Sequence, residues 1–335
     1  MKTPRTETII RGEAGGELNT TMSAWGLLVP SLSSAVRRRG RGDHGFTLIE
    51  IMVVILLLAV IVLGLMAMFE ETQRAFKAGM AQTDVMEAGR MFNDMILREV
   101  EQVTPSYQPN GVNFFAQIPY NFTPLPVGLP GDTMARTNIL EDLFFITRNN
   151  QTWNGIGYYV RTNPGYGGFV DPVGTLYRFE TNIPVSQFNA TPWSAFQTYQ
   201  AATNPPSVNI SKILDGVVEF RVRCFDTNGA LLTGDSFVTN NYVNISNAPL
   251  AVAPNEMSFY AFSNNIVPAY VEIEIGVMEP AVLRRYNSIP FTATQSRTNF
   301  LATHAGNVEL FRQRVAIRNV DPGAYLTNYS PSPFP

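Results

Sequence analysis

Few side chains in this sequence can do chemistry, and one of them sits in an unusual place. Glu50 is the single charge in the run Phe46–Phe69, FTLIEIMVVILLLAVIVLGLMAMF. An ionised carboxylate near the centre of a bilayer costs about 2.5–3.5 kcal/mol on insertion scales. Five residues into the run the cost is smaller, but an intramembrane acid still calls for a cationic partner. The peptide bond between Gly45 and Phe46 can supply one. A secretory signal is cut after its apolar stretch at a small-x-small site. Here the small residue precedes the apolar stretch, so a cut after Gly45 leaves the helix attached to the protein. It also creates an α-amine on Phe46, available to Glu50 of the same or a neighbouring subunit. Gly45, with no side chain, gives a protease close access to the backbone.

The remaining candidates are weaker. Cys224 is the only cysteine, so neither an intramolecular disulfide nor a cysteine metal site is available. Its apolar strand context marks it as a small core residue. His44 and His304 lie far apart, with no Cys or Asp cluster nearby. No Gly-x-Ser-x-Gly, phosphate-binding loop or His-x-x-x-His pair occurs. Glu272 and Glu274 alternate along one strand and read as solvated groups rather than a catalytic pair. The expectation is a chain with no catalytic residue, no metal and no cofactor. The aromatics Trp153, Tyr158, Tyr159, Tyr166 and Trp193, if they clustered in loops, could stack on sugars, although core packing is their commoner use. A net charge of -3 argues against nucleic acid as a partner.

These residues must be positioned by elements the pattern makes visible. Charged residues are only 15% of the 335, where about 25% is usual, and the deficit is local. From Ile51 to Phe69, 19 residues carry no charge and no proline, close to the roughly 20 a membrane-crossing helix needs. Beyond Glu70 the pattern becomes amphipathic: Val85, Ala88, Phe92, Met95 and Ile96 form one stripe, with Glu87, Arg90, Asp94 and Arg98 on other faces. The first proline after Phe46 is Pro105, so one continuous helix is predicted from about Phe46 to about Val103. Strands are predicted at Leu143–Thr147, Gly155–Arg161, Thr175–Phe179, Val217–Phe225, Ser258–Phe262, Tyr270–Val277 and Leu310–Ile317, all rich in β-branched and aromatic residues. Asp226-Thr-Asn-Gly229 supplies a turn after the fourth of these. Seven of the twelve methionines fall between Met52 and Met95, where flexible thioethers serve as lipid-facing and core filler.

Gly45-Phe46-Thr47-Leu48-Ile49-Glu50, preceded by a basic leader and followed by an apolar helix, resembles the type IV prepilin cleavage and methylation motif. The resemblance implies that a prepilin peptidase cuts after Gly45 and methylates the new amino group of Phe46. It implies that Glu50 helps recruit the subunit to a growing filament. Its other partners would then be pilins or pseudopilins in a hetero-oligomeric filament and an inner-membrane assembly platform. The fold it implies is α+β and pilin-like: a long N-terminal helix whose first half spans the membrane and whose second half packs on an antiparallel β-sheet head. The stem Arg90-Met-Phe-Asn-Asp-Met-Ile-Leu-Arg-Glu-Val100 resembles that of the minor pseudopilin J and PilW-like group, as do Leu214–Asp226 and Pro268–Ile275. A mature chain of residues 46–335 is large for a major subunit, and no stem proline is present, so no proline-assisted helix break is expected.

The expected organisation is a removed cytoplasmic leader (1–45), a transmembrane helix (46–70), an amphipathic stem (71–104), a β-rich extracytoplasmic head (105–328) and a disordered tail (329–335). Residues 1–45 hold seven Lys/Arg and four Asp/Glu, leaving 17 basic and 23 acidic residues beyond. Arg37, Arg38, Arg39 and Arg41 should hold the leader in the cytoplasm by the positive-inside rule. The protein would be a single-pass inner-membrane protein with a periplasmic head, later moved into a pilus or pseudopilus. A tip adhesin and, less well supported, a membrane-anchored hydrolase are the alternatives.

Overall fold

In the computed structural model the described residues are 45–109, 111–119, 126–127, 136–164, 170–187, 191–201, 209–234, 236, 242–247 and 257–326. The leader before Gly45 with its arginines and the tail, read above from sequence, lie outside them, as does Tyr166. The chain divides into two compact units, residues 1–63 and 64–335.

Helix α1 runs over Leu48–Val100 without interruption, 53 residues with Glu50 in its first turn and Arg98 in its last. The predicted helix was two residues longer at its start and three at its end. Thr47 caps the start, and at the other end Val103 already pairs as an isolated bridge with Thr147. Among the described residues, α1 is the helix apolar and long enough to cross a membrane, and its apolar stretch is exposed. Its last part belongs to the second unit. There Val85, Gly89, Phe92, Ile96, Leu97 and Val100 are buried, while Ala88 and Met95 are half-buried. The buried stripe is therefore the predicted one, rotated slightly to take in a glycine and two residues of the last turn.

The stem packs on a nine-stranded antiparallel sheet. Its strands are β1 (Val112–Gln117), β4 (Asp142–Asn149), β5 (Thr152–Pro164), β6 (Val170–Pro184), β7 (Ile210–Phe225), β8 (Val243–Asn247), β9 (Met257–Ser263), β10 (Tyr270–Met278) and β11 (Val308–Ala316). Their order across the sheet is β11-β10-β7-β6-β5-β4-β1-β9-β8. Two two-residue strands, β2 (Pro126–Val127) and β3 (Arg136–Thr137), pair separately. The 16-residue β7 links the β11–β10 pair to the other strands: Ile210–Val217 pairs with β6 and Val217–Phe225 with β10. Where β6 leaves off, Ile139–Glu141 bonds to the exposed edge of β7 through Phe220.

All seven predicted strands are present, six of them extended and the last, β11, starting two residues earlier and ending one residue sooner than predicted, and Gly229 closes the Asp226 turn at φ +83°. The Asp226 carboxylate accepts from the backbone of Asn228 and Ala230. Strands β1 and β8, absent from the predicted set, complete the sheet. The period-2 rule sorts the side chains into two layers. Phe114, Leu143, Phe145, Tyr158, Phe220, Val222, Val271, Ile273 and Ile275 join the stem in one core. The opposite face is covered in two places. Helix α2 (Thr191–Ala201) lies over Phe144, Phe179 and their neighbours. Helices α3 (Pro280–Ser288) and α4 (Thr294–Thr303) lie over Val218 and Met278, and the short α5 (Pro322–Leu326) closes the chain's described end. The protein is thus α+β, with a long N-terminal helix and an antiparallel sheet in a pilin-like arrangement.

One expectation is corrected. Glu274 is not solvated: it is 1% exposed and ion-paired with Arg312. Glu272 is largely covered and takes Arg223 at 3.2 Å and Arg314 at 3.4 Å. Alternation in β10 was read as an apolar face and a wet face. β10 is an interior strand, however, and the arginines of β7 and β11 stand in register on either side of its acids. Cross-strand pairing, not water, satisfies them.

Candidate functional site: the N-terminal processing segment

Residues 45–47 are exposed and non-helical, and the helix begins at Leu48. The geometry at this boundary follows from Thr47. Its carbonyl accepts the backbone N–H of Ile51 at 3.2 Å, and its hydroxyl accepts that of Glu50 at 3.3 Å. That is an N-cap, and Thr-Leu-Ile-Glu has the spacing of a capping box. The cap ends the helix two residues short of the Gly45–Phe46 bond. Gly45 itself has open space around it, with nothing within 4 Å of where a Cβ would stand. A peptidase must bind the chain around the bond it cuts in an extended form, and the cap leaves this bond outside the helical ladder. Phe46, Leu48, Ile49 and Ile51 are exposed, at 76%, 77%, 72% and 49%. This surface suits lipid and neighbouring helices rather than water.

Residues 40–66 match the family model of the prokaryotic N-terminal methylation motif. The N-terminus is thus similar to a prokaryotic N-terminal methylation motif. The match supports a type IV prepilin-like protein and implies processing by a prepilin peptidase and assembly with other pilins in general. With one apolar membrane-length helix among the described residues, the prepilin-type motif is consistent with single-pass anchoring in the inner membrane. No curated protein and no solved structure matches the chain.

Gly45, Phe46 and Glu50, the residues singled out from sequence, thus stand together at one helix start. The prepilin-type segment leads into a stem held by polar contacts that sequence reasoning missed. Glu99, in the last turns of α1, accepts from Arg178 of β6 at 2.7 Å and from the hydroxyl of Tyr158 of β5. Arg178 also reaches Glu180 at 2.6 Å. Burial, and then the charge of Glu99, push the Tyr158 phenol well above its ordinary range, so it stays a donor at any physiological pH. Glu99 was visible as a charge within an apolar helix end. Its partners lie 59 and 79 residues away, a distance no local pattern reports.

Other sequence candidates turn out to be structural. Cys224 is buried in the core, and burial pushes its thiol well above the ordinary value. The His304 ring stacks on Phe300 at 4.0 Å between ring centroids. Trp153, Tyr158 and Tyr159 lie on β5 and are buried, and Trp193 packs on Phe115 from α2. They form no exposed aromatic platform. A buried ion pair also escaped sequence reasoning: Arg297 of α4 meets Asp171 of β6 at 2.6 Å, and the Tyr286 hydroxyl of α3 donates to the same carboxylate. It ties both helices to the sheet.

Proposed function

We propose that this protein is a minor pilin or pseudopilin of the pseudopilin J and PilW-like kind: a structural subunit, without catalytic activity, of a type II secretion pseudopilus or a type IV pilus. The observation that carries the reading is the exposed Gly45–Phe46 bond, capped off from a helix whose apolar run as far as Phe69 is unburied and holds Glu50 as its only charge. Cut there, the chain keeps its anchor and gains the amine that Glu50 lacks. Because assembly then places this helix among others, Glu50 of one subunit can meet the Phe46 amine of the next. Arg37, Arg38, Arg39 and Arg41 would hold the leader on the cytoplasmic side, where the peptidase and the assembly platform act.

A minor role is favoured by the size of the head. The nine-stranded sheet and the three helices covering it among the described residues make a bulky body for a subunit that must repeat at every step of a filament, but a workable one for a subunit used in few copies. Trp153, Tyr158 and Tyr159 are core residues and Trp193 packs on Phe115, so none of these four favours the adhesin alternative.

The test is co-expression of the full chain with and without a prepilin peptidase, followed by intact-mass measurement of the membrane-extracted protein. The expected product is residues 46–335 with one added methyl group. A mature form starting elsewhere overturns the processing assignment. Cross-linking of the processed protein should then capture other pilins, and their identity separates a secretion pseudopilus from a pilus. Correct processing with no pilin cross-link would refute the filament role alone.

A further inference from the structure

Helix α2 is seated on the sheet by a tight aromatic fit at one end and by a buried acid at the other. Gly155 and Gly157 of β5 leave a trough in the sheet face. A Cβ on Gly157 would lie 2.3 Å from the ring of Phe196, and one on Gly155 would lie 2.9 Å from Pro192. Phe196 drops into this trough between Phe144 and Phe179, with ring centroids at 5.3 and 5.7 Å. Trp193 and Tyr199 pack beside it, on Phe115 at 4.2 Å and on Phe179 at 5.0 Å.

The C-terminal end of α2 is different. There the Gln200 amide donates to the carboxylate of Asp142, which is 3% exposed. No cation pairs with it among the described ion pairs. The ionisable group in electrostatic contact with it is Tyr159 of β5, on which Arg161 of β5 and Tyr177 of β6 also act; α2 adds the phenol of Tyr199. β1 brings Gln117, in register with Asp142, and α2, TPWSAFQTYQA, has no charged residue. The Tyr159 hydroxyl is buried without a hydrogen-bond partner, and burial pushes its phenol up to about 12. It is therefore neutral and cannot compensate a carboxylate.

We infer that α2 is a proton-linked cover: it is held firmly over the aromatic trough when Asp142 is protonated and loosens when Asp142 ionises beneath it. Burial pushes the Asp142 carboxyl up to about 7 from 3.8, with the Gln200 hydrogen bond working the other way. With α2 lifted, water reaches Asp142 and its proton leaves near the ordinary value. Seating α2 therefore takes up one proton between about pH 4 and 7. The stabilisation is complete below that window and is lost as pH rises through about 7. Above it both states are ionised and no further change follows.

The experiment is hydrogen exchange of the full-length protein in detergent micelles from pH 5 to 8.5, read by mass spectrometry and corrected for intrinsic exchange rates. Protection of the α2 amides should fall about ten-fold per pH unit between 5 and 6.5, as one proton requires, and level off above 7. Amides of β10 should hold their protection across the range. Asp142→Asn, which keeps the hydrogen bond but has no proton to lose, should give α2 protection that does not change with pH. A flat wild-type profile overturns the inference even if the variant fails to fold. So does a loss shared equally by α2 and β10, or an undiminished slope in Asp142→Asn.

Discussion

Gly89 of the stem faces the ring of Phe311 on β11, and a Cβ at Gly89 would stand 2.2 Å from its Cε2. The glycine is there for room, so that the helix can approach the edge strand, and not for any unusual backbone angle. Gly89→Ala brings two opposed effects. Removing a mid-helix glycine gains about 1 kcal/mol of helix propensity, while pushing a methyl into the Phe311 ring costs about 1–3 kcal/mol. A net loss is expected in urea melts of the head expressed from residue 72. In a Phe311→Ala background the same change should become stabilising by up to about 1 kcal/mol. If its sign is the same in both backgrounds, Phe311 does not set the requirement.

Phe92 is 2% exposed and meets Tyr158 and Phe220 edge-on at 5.8 and 6.3 Å, whereas Arg90, two residues earlier, is exposed. Phe92→Ala should cost about 3–5 kcal/mol, and Arg90→Ala should stay within about 0.5 kcal/mol. Urea midpoints of the two variants test this. Equal small losses would mean that the stem is not packed on the sheet.

Glu99→Ala takes the carboxylate from a covered site, leaving the buried Tyr158 hydroxyl without its partner and Arg178 with Glu180 alone. The expected loss is about 1–3 kcal/mol. Glu101, two residues on, pairs with Arg318, whose side chain is 72% exposed, so Glu101→Ala should cost about 1 kcal/mol or less. Thermal unfolding of both variants decides it. A Glu99 loss no larger than that of Glu101 would show that the contact does not clamp the stem.

Glu50→Ala should leave cleavage after Gly45 and the fold of the head intact but impair incorporation into filaments, because it removes the acid that meets the Phe46 amine. Quantifying the variant in sheared filament fractions against total membrane protein gives the answer. Undiminished incorporation would show that the carboxylate is dispensable.

The sequence by itself determined what depends on neighbours in the chain. Nineteen apolar residues specify a helix suited to lipid whatever surrounds them. Thr47 and Glu50 are three apart, so the cap that keeps the Gly45–Phe46 bond out of the helix is local. The stem stripe and seven strands follow from periodicity for the same reason. The short helices α2, α3 and α4 did not emerge from sequence, since 9 to 11 residues scarcely fill the window in which a 3.6-residue period can be recognised. Tertiary structure alone decided the rest. Glu272 and Glu274 alternate as solvated residues do, and only the placement of β10 between β7 and β11 brings arginines to both sides of them. Likewise Glu99 finds Arg178, Asp171 finds Arg297 and Asp142 comes to lie under Gln200 across 58 to 126 residues. Pairing across a sheet is set by strand order, and strand order is fixed by which faces can be buried together rather than by any short stretch of chain.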